Sequence, residues 1–363
     1  MREMWWQFAR AGVRSSLGER GGIAKEGQTL LQTMGRPPVL LTSRLMDLGV
    51  RALGRDTHYP VFRRHFHAYG VGFAKSGTTS LALMPHRKFR TQHESDQSGL
   101  VAALAKYAAG ASDAADAGDT KRAAAAESGL LGYLERADQK KGSLEVDVNF
   151  VLALALPQLL KLYPRAKFVL TLRDPLGAVD SQLRYLDHVA KSEVTMRNAP
   201  GTVDTVLWNT GCSKALWQWM WGSVQAERAN EERALQRAYP DSWPLPVMLR
   251  WWCSHTLSVL DRVPPRQLLV VRTDALSKRV TADEIAHFLG AQAADVNPSH
   301  GFRTPHKTTR ARPLSLVPTA HLQSVLDREL RLQPRCADAL HKYFPDDPWA
   351  SDAAAWIRKA SRA

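Results

Sequence analysis

Lys75 stands in a run of small and hydroxylated residues, AKSGTTSLA (74–82), that follows the apolar stretch HAYGVGF (67–73). A strand leading into such a loop and then into a helix gathers backbone N–H groups and the positive helix end at one point. That arrangement holds a phosphate or a similar oxyanion. The hydroxyls of Ser76, Thr78, Thr79 and Ser80 add donors, Gly72 and Gly77 permit close backbone approach, and Lys75 adds a mobile charge. The two glycines have the spacing of GxxxxGK[ST], a loop that holds nucleoside triphosphates. Threonine, however, occupies position 78, where that loop has its lysine, and the lysine present comes three residues early. The expected anion is therefore something other than an ordinary triphosphate.

Two further groups of residues could complete such a site. In FVLTLRDPLGAVDSQ (168–182), Arg173 ends an apolar stretch and Pro175 opens a helix. Ser181, eight residues beyond Arg173, can then converge with it on a second phosphate. FRTQHES (89–95) offers His93 and Glu94 for proton transfer, and LEVDVNF (144–150) offers Glu145 and Asp147. A base must reach the proton it removes, so these four matter only if the fold brings them to the loop. Near the end of the chain, FRTPHKTTRAR (302–312) is a basic turn that contains Lys307.

The elements needed to position these groups are legible in outline. Apolar stretches at 66–73, 144–150, 166–173 and 266–273 read as strands, separated by segments with helical character. Such alternation argues for a parallel sheet covered by helices on both faces. Residues 100–142 are rich in alanine and read as helices joined by a flexible link. NFVLALALPQLLKLYP (149–164) reads as a helix interrupted at Pro157. TADEIAHFLGA (281–291) carries a capping box from Thr281 to Glu284 and stops near Gly290. Residues 205–262 read as a tryptophan-rich helical insertion forming core or acceptor-pocket wall. The implied organisation is a basic extension over 1–64, a main domain over 65–345 and a tail over 346–363.

KSGTTS after one strand and RDPxxxxxS after a later one, in that order, resemble the PAPS-dependent sulfotransferase family, whose donor is 3′-phosphoadenosine 5′-phosphosulfate. LEVDVNF, YPRAKFVLTLRDP, QLLVVRTDAL and EIAHFLG extend the likeness over about 66–310. The resemblance implies an α/β fold with a P-loop NTPase-like parallel sheet, and PAPS as co-substrate with no metal. It implies that Lys75, Ser76, Gly77, Thr78, Thr79 and Ser80 grip the 5′-phosphosulfate, while Arg173 and Ser181 grip the 3′-phosphate. Lys307 would join the 3′-phosphate contacts, although the glycine-rich loop usual there is missing. Lys75 would reach the oxygen bridging phosphorus and sulfur. By likeness to carbohydrate and glycolipid sulfotransferases, Glu94 ranks first as base and His93 second, with Asp147 and Glu145 orienting the acceptor or the lysine. The acceptor would be a hydroxyl-bearing glycan, glycolipid or natural product.

Competing readings remain open on sequence grounds. A P-loop kinase of a small molecule would need a lysine at position 78 and carboxylates for magnesium, of which Asp174 could imitate one. The net charge of +14 across 363 residues suits anionic partners, nucleic acid included. No helix-turn-helix, RNP or zinc signature accompanies it, so no nucleic-acid partner is expected. Three scattered cysteines, Cys212, Cys253 and Cys336, offer no zinc spacing and no disulfide framework, which suits a reduced cytoplasm. Trp5, Trp6 and Phe8 beside Arg2, Arg10 and Arg14 suit either a helix packed on the main domain or one lying on a membrane surface.

Overall fold

The computed structural model describes residues 66–85, 88–94, 97–140, 144–184, 245–298 and 313–362. Five parallel strands form one sheet in the order β2-β3-β1-β4-β5. They are β1 (Ala68–Gly70), β2 (Thr91–His93), β3 (Val146–Val148), β4 (Lys167–Leu172) and β5 (Leu268–Arg272). β4 shows why the sheet must be covered on both sides. Phe168, Leu170 and Leu172 belong to one core and Val169 to the other, and all four are buried. A strand apolar on both faces is stable only between two layers of helix.

On one face lie α1 (Thr78–Leu83) and α7 (Arg279–Leu289), whose Leu81, Ile285 and Leu289 meet Val146, Val148 and Val271. The opposite face carries the larger core. There α2 (Gln97–Asp116) and α3 (Thr120–Lys140) form a helical hairpin in the crossover from β2 to β3. A turn at Ala117–Asp119 joins them, and the Asp119 carboxylate caps α3 by accepting from Lys121 and Arg122 N–H. The same core includes α6 (Leu245–Arg262) with α8 (Thr319–Leu332), α9 (Pro334–Tyr343) and α10 (Ala353–Arg362).

Several local readings need correction. Residues 150–162 are two pieces, a 3-10 turn over Phe150–Ala155 and then α4 (Leu156–Leu162). Asn149 caps the turn through Val151 N–H, and Pro157 falls in the first turn of α4, where its missing N–H costs nothing. The chain therefore changes helix type just before the proline. α7 begins at Arg279 with Lys278 at its N-cap, which puts Thr281 inside the helix and leaves the capping box unused. Its end at Gly290 agrees with the sequence, with φ 77° there. FRTQHES, absent from the stretches that read as strands, contains the edge strand β2. Residues 346–363, set apart as a tail, include α10, whose Trp356 is buried in the main core.

Cys253 of α6 and Cys336 of α9 are joined by a disulfide across 83 residues. The expectation of unpaired thiols is overturned here, because pairing follows from how two buried helices face each other and not from spacing along the chain. Among the described residues no helix is long and apolar enough to cross a membrane. The N-terminal extension, residues 205–244 of the tryptophan-rich stretch, Cys212 and Lys307 lie outside the described residues.

Candidate active site

All five strands point their carboxyl ends to one edge, and Lys75, Thr78, Thr79, His93, Glu94 and Arg173 gather along it. β1 leads to β2 on one side, while β4 lies on the other, so the chain changes direction across the sheet between these central strands. Crevices at such a switch point, outside the carboxyl ends, are where open α/β sheets take ligands. The loop after β1 carries Lys75, and the end of β4 carries Arg173. The guanidinium of Arg173 donates from Nη1 to the carbonyl of Lys75 at 3.2 Å, so one loop braces the other.

The loop is set by its own hydrogen bonds. Ser76 is fully buried, and its N–H and Oγ both donate to the Phe73 carbonyl, at 3.0 and 2.6 Å. Ser76 Oγ also lies 3.1 Å from Thr171 Oγ1 on β4, and the Thr273 hydroxyl after β5 donates to the Ser76 carbonyl. Gly77 takes φ 95° to start α1, a conformation costly for other residues. A Cβ at Gly72 would sit 1.9 Å from Thr171 Oγ1, and one at Gly77 would sit 2.7 Å from Leu276 Cδ1. The close approach that these glycines permit is thus to neighbouring protein. Ser76, assigned to the anion, is spent inside the loop.

Lys75 itself has φ 65°, an uncommon backbone for a lysine and one that the loop imposes. Its pKa falls to about 8, first through burial and then through Arg173, while Glu94 pulls it upward. Glu94 and Lys75 are therefore neighbours in the field of the site.

His93 ends β2, and its Nε2 lies 3.1 Å from Thr78 Oγ1 and 3.2 Å from Thr79 Oγ1. Glu94 Oε1 is 3.8 Å from the same nitrogen. Burial lowers the pKa of His93, Glu94 raises it, Lys75 lowers it and Asp147 raises it, and the net direction is downward. The ring is neutral near pH 7. With its hydrogen on Nε2 it donates to threonine oxygens and leaves their hydrogens for an anion; the other tautomer would accept the hydrogen of one of them. Glu94 has φ 52°, and its N–H bonds the Val148 carbonyl at 2.8 Å, which fixes its backbone at the end of β3.

The other two carboxylates stand differently. Glu145 receives Arg90 N–H at 2.9 Å, Nε at 2.8 Å and Nη2 at 2.7 Å, in a nearly buried ion pair. It precedes β3, at the amino edge of the sheet, and its role is to tie β2 to β3. Asp147 is aligned with Gln92, and Val148 with His93. Alternate residues of a strand face opposite ways, so Asp147 and His93 emerge on opposite faces. Sequence spacing could not show either fact.

Arg173 is followed by Asp174, whose carboxylate accepts from Gly177 N–H at 2.6 Å and caps the helix α5 described over 175–184. Its pKa is raised, chiefly by burial. This carboxylate serves as a helix cap with Pro175 at the first helical position, and it does not act as a free ligand for magnesium. Ser181 lies half-buried within the first two turns of α5, and Ser80 lies half-buried on α1. Among the described residues no cluster of His, Cys, Asp or Glu could hold a metal ion.

Residues 69–300 match a family described as the sulfotransferase domain, well over half of the chain. The chain belongs to the sulfotransferase family. A sulfotransferase from Alicyclobacillus acidocaldarius is similar in structure, with TM-score 0.40 and 14% identity over 74% of this chain and 96% of that one. The sulfotransferase domain of the Synechococcus PCC 7002 olefin synthase gives TM-score 0.32 and 16% identity, covering 70% and 84%. No curated protein sequence matches this sulfotransferase.

His255 and Trp252 on α6 and Thr273 after β5 are residues of the site's surroundings that motif reading missed. They act through backbone carbonyls, and such contacts leave no spacing in the sequence.

Proposed function

We propose that this sulfotransferase moves a sulfuryl group from PAPS to an acceptor hydroxyl by in-line displacement. The observation that carries the reading is the bond from Arg173 to the Lys75 carbonyl, which brings two cations on different loops to one crevice. A donor with separate anionic groups suits two such cations better than a single phosphate does. Lys75 and the Thr78 and Thr79 hydroxyls would hold the 5′-phosphosulfate, and Arg173 with Ser181 the 3′-phosphate. The family implies this donor, and the residues present fit it.

Glu94 takes the proton from the acceptor hydroxyl as its oxygen attacks sulfur. The bond from sulfur to the bridging oxygen breaks, and the electron pair stays with departing 3′,5′-ADP. Lys75 stabilises the charge growing on that oxygen, which is the kind of interaction that accelerates transfer. His93 holds the two threonine hydroxyls. The acceptor is a hydroxyl-bearing glycan, glycolipid or natural product. With Asp174 committed to capping and threonine at position 78, a kinase reading lacks its parts.

Thermal unfolding with nucleotides tests the donor. A ligand at about 100 times its Kd adds about 2.7 kcal/mol of stability. 3′,5′-ADP should raise Tm clearly and AMP far less, whereas equal shifts would remove the 3′-phosphate assignment.

A further inference from the structure

α6 reaches the site through two hydrogen bonds to its backbone. Trp252 Nε1 donates to the Arg173 carbonyl at 3.1 Å, and His255 Nε2 lies 2.8 Å from the Val71 carbonyl. Residues three apart share a helix face. Their acceptors directly follow β4 and β1, adjacent central strands, and are the roots of the two loops that carry Arg173 and Lys75. A carbonyl only accepts, so the His255 hydrogen is on Nε2. Burial lowers the His255 pKa to about 4, and the ring stays neutral with that donor in place.

Contacts continue from these roots into the loop. Phe73 is packed edge-on against Trp251 at 4.6 Å and against His255 at 5.5 Å. The Phe73 carbonyl in turn receives both donors of Ser76. Trp252 is fully buried and His255 is 6% exposed, so water cannot replace either donor cheaply.

We propose that Trp252 and His255 are positioning residues, which donate from one helix to the root of each anion-binding loop and so set the separation of Lys75 and Arg173. This inference rests on the donor reading above. The pair never touches the reacting atoms. Its effect should appear in donor affinity and loop order before it appears in the chemistry.

The test compares Trp252→Phe and His255→Leu, which lose the donor, with His255→Gln, whose amide can restore it. Val259→Ala, one turn further along the same helix and fully buried, controls for general destabilisation. Two readouts are taken, the Kd for 3′,5′-ADP and hydrogen exchange of the amides at 72–77 and 173–177. The two donor-loss variants should weaken 3′,5′-ADP about tenfold and speed exchange in both loops. His255→Gln should recover most of each loss, and Val259→Ala should lower Tm with neither effect. Wild-type affinity and exchange in the donor-loss variants would overturn the proposal, and so would equal loosening in Val259→Ala. Should the wild type fail to bind 3′,5′-ADP, the donor reading falls, and the exchange comparison still decides for or against the clamp.

Discussion

The two edges of the sheet put the same chemistry to opposite uses. Arg90 and Glu145 precede β2 and β3 at the amino edge, while His93 and Glu94 end β2 at the carboxyl edge. The three residues of β2, Thr91 to His93, about 10 Å of chain, carry the backbone from Arg90 to Glu94. At the amino edge the carboxylate is saturated by three donors from one arginine. At the carboxyl edge Glu94 sits 3.8 Å from a neutral histidine and within the field of the half-buried Lys75. A carboxylate locked in a fork of guanidinium bonds stabilises an edge and is a poor base. Glu94, the proposed base, has no such fork around it and faces a histidine and a cation instead. On that proposal, location relative to strand ends would separate the roles, and residue type would not.

The largest effects should separate these two glutamates. Glu94→Gln keeps the shape but removes the basicity, and turnover should fall about 10²–10⁴-fold with little change in Tm or in 3′,5′-ADP affinity. Glu145→Gln should do the reverse. Breaking a nearly buried ion pair costs about 3–5 kcal/mol of stability, while turnover per folded molecule should hold. Denaturant unfolding beside a PAPS transfer assay measures both. Full activity in Glu94→Gln with a dead but folded Glu145→Gln enzyme would reverse the comparison.

Next in size is Lys75. Lys75→Ala should lower kcat about 10²–10³-fold, the scale for losing one charge-stabilising contact in a transition state. Donor affinity should drop less, because the charge it answers grows only during transfer. Equal losses in kcat and in binding of 3′,5′-ADP would make Lys75 a plain anion ligand.

The carboxyl edge was more legible in the sequence than the amino edge, for a physical reason. KSGTTS and RDP are local: each places its groups on one loop next to one strand, so residue order alone reveals them. The parallel sheet likewise follows from apolar stretches alternating with helical ones. The Arg90–Glu145 pair joins residues 55 apart and depends on strand register, which residue order does not carry. Asp147 shows the same limit, since its face is decided by alignment with Gln92. The Cys253–Cys336 bridge and the donations from α6 are set by helix packing across the larger core. β2 escaped notice because three residues are too few for an alternating pattern to show.

The smallest expected effect is a pH limb that tests whether the carboxyl edge works through a lysine already poised to lose its proton. Burial and Arg173 hold the Lys75 pKa at about 8. Below that pH the ammonium is present and can answer the leaving oxygen; above it the neutral amine cannot. Since kcat/KM reports groups of the free enzyme, it should decline about tenfold per pH unit above roughly pH 8. A bound anionic donor favours the charged form of a nearby amine, so the same limb in kcat should lie at higher pH. Lys75→Arg, whose guanidinium stays charged, should abolish the limb even at reduced activity. A limb at one pH in both parameters, unmoved by Lys75→Arg, would belong to another group and would separate the depressed lysine from the chemistry.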